Sequence, residues 1–277
     1  MKKYLVIGNP IKHSLSPKLH NYWFKKYNLS NHNYDKRKVT EDDLKKVILE
    51  IKNDKLAGLN ITVPFKRSII PFCDILDKTA EDLRSVNTIS KKNGKIIGWN
   101  TDSLGFLDCL KASNIMDEKK SVFILGAGGV TSAVLDALWG FGSKQIYLSN
   151  RTKDKAIELK NMFKDKFDKI EILNWEEKPK KKCGIVINTT SMGLAKTDLI
   201  NIDFNEYENK KSNQEKSIFI DLIYSQKTNF LKAAEKRGNL AIDGKIMFLG
   251  QAKYSFNIWT NILPKIDTNT LELFKND

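Results

Sequence analysis

A chain of 277 residues, 41% hydrophobic and 29% charged, is long enough for one large core or two modest ones. No stretch approaches the ~18 apolar residues that a membrane helix needs, so no membrane partner is expected. The net charge of +14 would suit a nucleic-acid surface, but only five of the 47 basic residues are arginine, the side chain suited to bidentate phosphate and base contacts.

The lysines are scattered, apart from Lys178-Pro179-Lys180-Lys181-Lys182. The charge therefore reads as a compositional bias and predicts no nucleic-acid partner. Its field would still draw in an anionic substrate and a phosphorylated cofactor.

In chain order, Lys3–Gly8 reads as a short apolar strand. The apolar run after Met1-Lys2-Lys3 is too short for a secretion signal, whose core usually spans about 7–15 residues. Ser16-Pro17 opens a helix with Ser16 as N-cap and Pro17 at its first position; Leu19, Trp23, Phe24 and Tyr27 mark its apolar face. Thr40 caps the next helix, with Asp43 three residues on and Leu44, Val47, Ile48 and Ile51 along one side. Leu56–Thr62 predicts a strand, and Val86–Ser90 with Lys95–Trp99 predicts a hairpin around Asn93-Gly94.

A second alternating series follows. Strands are expected at Ser121–Leu125, Gln145–Ser149, Ile185–Asn188, Ile218–Leu222 and Leu240–Ile242, with helices ending near Leu138 and starting from Thr152. This order implies parallel βαβ units. The polar stretch 196–215 reads as a loop, Lys245–Thr260 as a closing helix, and Asn269–Phe274 as a short final one. Cys73, Cys109 and Cys183 are odd in number and widely spaced, which fits a reducing cytoplasm and predicts neither a disulfide framework nor a metal site.

Gly126-Ala127-Gly128-Gly129 stands between an apolar strand and an apolar helix. Glycines there let the backbone turn and approach a pyrophosphate, and the helix start offers free N–H groups. The third glycine or alanine of the usual pattern is Thr131, which predicts slightly looser helix–strand packing. The next strand ends in Ser149-Asn150-Arg151-Thr152, with Lys155 beyond. An NAD site wants a carboxylate there; two cations and a hydroxyl favour a 2′-phosphate, hence NADP.

In the first half, Ser14 and Ser16 are spaced to point the same way if their loop is extended, and together would clamp a carboxylate. Asn60 and Thr62 share a strand face, Lys66 follows in a Pro-containing turn, and Asn87-Thr88 and Asn100-Thr101-Asp102 add further polar groups. Such a set suits a polyhydroxylated substrate, because each buried hydroxyl needs a partner. Taken alone, Lys66 is one lysine among many.

In this order, these runs resemble the shikimate dehydrogenase family over nearly the whole length. They are Gly8-Asn9-Pro10-Ile11, His13 to Pro17 with His20-Asn21, Asn60 to Lys66, Val86-Asn87-Thr88 and Gly98 to Asp102 with Gly105-Phe106. Gly126 to Gly129, Asn150-Arg151-Thr152, Asn188 to Gly193, Asp221 to Tyr224, Asp243-Gly244 with Met247, and Gln251-Ala252 complete the set.

The resemblance implies an α/β fold of two domains. Residues 1–102 plus 243–277 would bind substrate, and residues 103–242 would form a Rossmann-like NADP-binding domain with a parallel sheet, the active site lying in the cleft between them. It implies reversible, NADP-dependent interconversion of 3-dehydroshikimate and shikimate, with Lys66 and Asp102 as the catalytic pair. Ser14 and Ser16 would hold the substrate carboxylate; Thr62, Asn87, Asp102 and Gln251 would bind ring hydroxyls, with Asn60 and Tyr224 nearby. Gly126, Ala127, Gly128, Gly129 and Val130 would cradle the pyrophosphate. Asn150, Arg151, Thr152 and Lys155 would surround the 2′-phosphate, and Thr190, Met192, Leu222 and Gly244 would line the nicotinamide side.

Five positions depart from the family pattern: Arg84-Ser85 stands where Gly-Ala is usual before Val86-Asn87-Thr88, Thr131 for a small apolar residue, Ile246 for a glycine of some members, and Lys155 for the commoner arginine. The competing readings are an NAD-using quinate/shikimate dehydrogenase and a non-catalytic nucleotide- or nucleic-acid-binding module. Either a monomer or a homodimer is compatible with the sequence.

Overall fold

A computed structural model describes residues 1–113, 121–175, 177–195, 198, 200, 202, 207 and 216–274. The elements run β1 (Lys2–Gly8), α1 (Ser16–Lys26), β2 (His32–Lys38), α2 (Leu44–Lys52), β3 (Gly58–Ile61), β4 (Ile75–Leu76), α3 (Lys78–Leu83), β5 (Thr88–Lys92), β6 (Lys95–Trp99) and α4 (Asp102–Ala112). They continue β7 (Val122–Leu125), α5 (Thr131–Phe141), β8 (Gln145–Ser149), α6 (Lys153–Met162), β9 (Lys169–Leu173), β10 (Ile185–Asn188), β11 (Ile218–Asp221), α7 (Asn229–Lys236), β12 (Leu240–Ile242), α8 (Lys245–Thr260) and α9 (Thr268–Glu272). Most of the polar stretch 196–215, expected as a loop, lies outside the described residues.

The chain divides into two compact units, residues 1–105 with 249–277, and residues 106–248. Both crossings fall inside helices, α4 and α8, rather than at the residues 102 and 243 suggested by sequence.

The first unit carries a six-stranded mixed sheet in the order β2-β1-β3-β5-β6-β4. Strand β5 runs antiparallel to β3 and β6. Alternation along β1 feeds two cores. Leu5 and Ile7 join Leu44, Val47, Ile48 and Ile51 of α2. Tyr4 instead packs on Phe24 of α1 and Trp259 of α8, with ring centroids 5.3 and 5.0 Å away. Gly58 is required here, because a Cβ would sit 2.5 Å from the Trp259 indole nitrogen. The β5–β6 turn has both Asn93 and Gly94 at positive φ (52° and 75°), the geometry a two-residue hairpin demands.

The sequence does not predict strand β2, and its composition explains why. In His32–Lys38 only Tyr34 is buried, so the segment reads as charged surface. It is an edge strand, and such edges are blunted by charge. Asn21 blunts it further: its Oδ1 accepts from Tyr34 N–H (2.9 Å) and its Nδ2 donates to Tyr34 O (2.8 Å), occupying the groups another strand would use.

Two local expectations are corrected. Ser16 is not the N-cap of α1; Leu15 holds that position in a turned conformation (φ −91°, ψ −1°) and Ser16 is the first helical residue. The loop is therefore not extended, and Ser14 Oγ accepts the Ser16 N–H at 3.4 Å, so a turn rather than an extended strand brings the two serines together. Strand β3 is shorter than predicted, because Thr62 already enters the turn closed by Phe65 N–H to Thr62 O (3.0 Å).

Arg84 ends α3 in the left-handed region (φ 47°, ψ 43°). A side chain there is strained by about 1 kcal/mol against glycine. Arg84→Gly is expected to raise the thermal midpoint by a few degrees, with the gain trimmed by the freer unfolded chain. An unchanged or lower midpoint in a melting experiment would count against strain at this turn.

The second unit carries a six-stranded sheet in the order β12-β11-β10-β7-β8-β9, parallel throughout. Its first strand, β7, lies between its second, β8, and its fourth, β10. This is the doubly wound order, with the chain reversing direction across the sheet beside β7. Phe123, Leu125, Val186, Phe219, Phe230 and Leu231 build one of its cores. Among the described residues no helix is long and apolar enough to cross a membrane.

Candidate active site

In the first unit, Lys66 Nζ lies 2.5 Å from Asp102 Oδ2. Their side chains are 12% and 6% exposed, which sets Lys66 apart from the solvated lysines of the chain. Local structure fixes both. The turn after β3 carries Lys66, and its carbonyl accepts Val86 N–H at 2.8 Å. Asp102 opens α4, where the helix dipole favours a carboxylate. Its N–H donates to Asn100 Oδ1 (2.9 Å), while Asn100 Nδ2 donates to Ser85 O (2.8 Å).

Asn87, Thr62, Asn60, Ser14, Ser16 and Gln251 all belong to this unit. Arg84 does not disturb Asn87, which is 2% exposed: its Nδ2 donates to Asp102 Oδ1 and Thr101 Oγ1, both at 2.9 Å, and its Oδ1 accepts Thr101 N–H at 3.0 Å. Asn60 is likewise engaged, its Oδ1 accepting the Tyr34 hydroxyl at 2.6 Å and its Nδ2 facing Asn87 O, Thr88 Oγ1 and Ser255 Oγ at 3.0–3.1 Å. The half-buried Thr62 hydroxyl, by contrast, has no protein partner among the described residues. A Cβ on Gly8 would lie 2.5 Å from Thr62 Cγ2, so glycine there leaves Thr62 its place.

His20 sits under this region, its ring stacked on Tyr34 at 4.3 Å and 8°. Burial pushes its pKa down to about 3, so it stays neutral and is no proton donor near pH 7.

In the second unit, the loop after β7 is built for close approach. Gly126 has φ +105°, and a Cβ there would meet Thr189 Oγ1 at 2.7 Å. At Gly128 and Gly129 a Cβ would meet nothing within 4 Å, an open cradle at the start of α5, where backbone N–H groups lack helical partners. This donor set fits an anionic pyrophosphate. Thr131, unlike glycine, contributes a hydroxyl: it is fully buried and lies 3.2 Å from Gly126 O and 3.0 Å from Thr189 Oγ1. Asn150 Oδ1 accepts Ala127 N–H (3.0 Å) and its Nδ2 donates to Thr152 O (2.7 Å), so this amide ties the β8 loop to the glycine loop. Arg151 and Lys155 are exposed, and neither side chain has a protein partner among the described residues. Two free cations beyond the second strand fit a further phosphate.

The loop after β10 hangs on one buried carboxylate. Asp221 accepts from Asn188 Nδ2 and Ile223 N–H (both 3.1 Å) and from the Thr228 hydroxyl (2.6 Å). Burial pushes its carboxyl up from the ordinary range, and the three donors oppose that. Asn188 in turn receives the Thr190 hydroxyl (2.7 Å) and donates to Met192 O (2.9 Å), which shapes the Thr190–Met192 turn. Gly244 packs on the Leu222 backbone, where any Cβ would lie 2.3 Å from Leu222 O. Tyr224, expected near substrate, lies in this unit and stacks on Phe248 at 4.6 Å. Asp221, Asn188 and Ser255 were given no role by sequence, and Thr88 and Thr101 only a general polar one; the contacts that join Ser255 to Asn60, Thr88 and Thr101 span 154–195 positions, which no local pattern reports.

A doubly wound nucleotide-binding sheet in one unit and a buried lysine–carboxylate pair in the other define the class of pyridine-nucleotide dehydrogenases. Residues 6–89 match the family model described as the shikimate dehydrogenase substrate binding domain, and residues 111–225 match the model described as shikimate / quinate 5-dehydrogenase. The chain belongs to the shikimate dehydrogenase family. It is 47% identical to the shikimate dehydrogenase (NADP(+)) of Pelagibacter ubique, over 98% of both chains. It is similar in structure to shikimate dehydrogenase from Aquifex aeolicus (TM-score 0.87, 37% identity, covering 100% of this chain and 98% of that one). It is also similar to shikimate 5-dehydrogenase from Thermus thermophilus in complex with NADP(H) and shikimate (TM-score 0.84, 28% identity, 98% and 97% covered).

Proposed function

We propose that this chain is an NADP-dependent shikimate dehydrogenase that reversibly reduces 3-dehydroshikimate to shikimate, on the route to chorismate and the aromatic amino acids, acting in the cytoplasm as a monomer or homodimer. The observation that carries the reading is the buried Lys66–Asp102 pair, 2.5 Å apart and held by Asn87.

NADPH, when bound, supplies a hydride. Lys66 as ammonium stabilises the negative charge that develops on the substrate carbonyl oxygen and gives that oxygen its proton; in the reverse direction neutral Lys66 takes the proton back. Asp102 hydrogen-bonds the same hydroxyl and holds the Lys66 ammonium in place. Ser14 and Ser16, drawn together at the start of α1, bind the carboxylate. Thr62 and Gln251 bind ring hydroxyls, Asn87 and Asn60 act on the ring largely through the groups they orient, and Tyr224 is a further substrate contact.

Gly126 to Val130 cradle the pyrophosphate. Arg151, Lys155 and Thr152 take the 2′-phosphate, with Asn150 pinning their loop, and Thr190, Met192, Leu222 and Gly244 line the nicotinamide side.

Steady-state oxidation of shikimate with NADP, with quinate and NAD as controls, tests the reading. Expected is a kcat/KM for shikimate with NADP well above both controls. Faster turnover with quinate, or with NAD, would sink it.

A further inference from the structure

Beneath Asp102 lies a buried set of polar groups that reach no ligand-accessible surface: Thr88 and Ser255 are fully buried and Tyr34 is 1% exposed. The direction of most of these hydrogen bonds follows from which atoms are able to donate. Thr101 N–H can only donate, and it points at Asn87 Oδ1, so the Asn87 amide nitrogen must face Asp102. Asn87 O can only accept, and it faces Asn60 Nδ2, so Asn60 Oδ1 must receive the Tyr34 hydroxyl. Thr88 has one hydroxyl hydrogen and two oxygens within its reach, Asn87 Oδ1 (2.8 Å) and Ser255 Oγ (2.7 Å), while Ser255 can also donate to Gln251 O (3.1 Å); directed at Asn87 Oδ1, the Thr88 hydrogen leaves its oxygen to accept from Asn60 Nδ2 (3.0 Å).

With the Thr88 hydrogen on Asn87, the chain runs one way. Tyr34 donates to Asn60, Asn60 to Thr88, Thr88 to Asn87, and Asn87 to Asp102 Oδ1, while Lys66 donates to the other carboxylate oxygen. Aligned hydrogen bonds polarise one another, and in a buried site they hold their acceptor in one orientation.

We infer that Thr88 and Tyr34 are positioning residues: through Asn60 and Asn87 they fix the Asp102 carboxylate in the orientation that holds Lys66 for proton transfer. This rests on the catalytic reading of Lys66 and Asp102 above. Stacking on His20 and the Asn21 clamp on the Tyr34 backbone hold the far end of the chain still.

The test is a double-mutant cycle in kcat. Thr88→Val, nearly isosteric and compatible with a strand, removes the donor to Asn87. It is expected to lower kcat about tenfold while the NADP KM stays put, and Thr88→Ser should restore kcat. In an Asp102→Asn background the same Thr88→Val change should cost less than about twofold, since the carboxylate it orients is gone. Tyr34→Phe keeps the ring stack and should show the same pattern more weakly. A purely structural role would lower the melting temperature and leave kcat per folded enzyme intact, which would overturn the inference, as would full additivity of Thr88→Val with Asp102→Asn. If Asp102→Asn itself leaves kcat unchanged, the catalytic reading falls with it. A drop for Asp102→Asn without one for Thr88→Val or Tyr34→Phe removes the positioning role alone.

Discussion

Lys66→Ala is expected to lower kcat with shikimate by about 10³-fold or more, while the shikimate KM moves by less than about threefold. The reason is the timing of the charge. The ammonium meets a neutral carbonyl in the ground state and a developing oxyanion in the transition state, so its contribution is concentrated in the second. The substitution also strands Asp102, whose side chain is 6% exposed, and removing one member of a buried pair costs about 3 kcal/mol of stability. Lys66→Arg separates the two effects. Arginine keeps the positive charge beside Asp102 but does not release a proton near neutral pH. It should recover most of the stability and little of the activity, with kcat still down by about 10²-fold. Single-turnover rates on folded protein decide the matter; near-normal turnover in either variant would remove Lys66 from the proton transfer.

Arg151→Ala is expected to raise the NADP KM by about 10- to 30-fold and leave the NAD KM where it was. A charge-assisted hydrogen bond to phosphate contributes about 1.5–2 kcal/mol at an exposed site, and each 1.4 kcal/mol is a factor of ten. NAD has no 2′-phosphate to lose. Because Arg151 is exposed, the penalty should shrink as salt rises, and Lys155→Ala should add a smaller increment of the same sign. Initial-rate measurements with both cofactors at low and moderate ionic strength separate a 2′-phosphate contact from a general weakening of the nucleotide site. Equal losses for NADP and NAD would argue for the latter.

Much of the second unit was legible because its strands are short apolar runs, the central ones, β7, β10 and β11, buried along their whole length. Gln145–Ser149, Ile185–Asn188 and Leu240–Ile242 stand where periodicity put them, as does the closing helix Lys245–Thr260. The Asn93-Gly94 turn was equally plain, since few residue pairs accept positive φ twice in succession. Strand β2 was not legible, because an edge strand with one buried side chain carries almost no apolar signal. Nor was α3, whose six residues are too few to show a period.

At the site, residue type and spacing pointed to the glycine loop and to Arg151, because a strand–loop–helix frame surrounds them. Composition could not single out Lys66; its meaning comes from burial and from the carboxylate that the fold places beside it. Ser16 misled in the other direction, as a residue with two plausible jobs whose capping role the structure withholds.

Gly105 and Gly250 have a consequence for how the chain is made. At Gly250 an added Cβ would lie 2.8 Å from Gly105 Cα, so the place where the chain leaves the first unit is packed against the place where it returns. Residues 106–248, all of the second unit, are synthesised between them. Phe256, fully buried, and Trp259, packed against Tyr4, emerge only afterwards, and so does Ser255 beside Thr88. During translation the middle of the chain can close its sheet while the first hundred residues wait on the ribosome with an open core. The half of the protein that holds Lys66 is begun first and finished last, and that waiting period is when it is most exposed to proteases and chaperones.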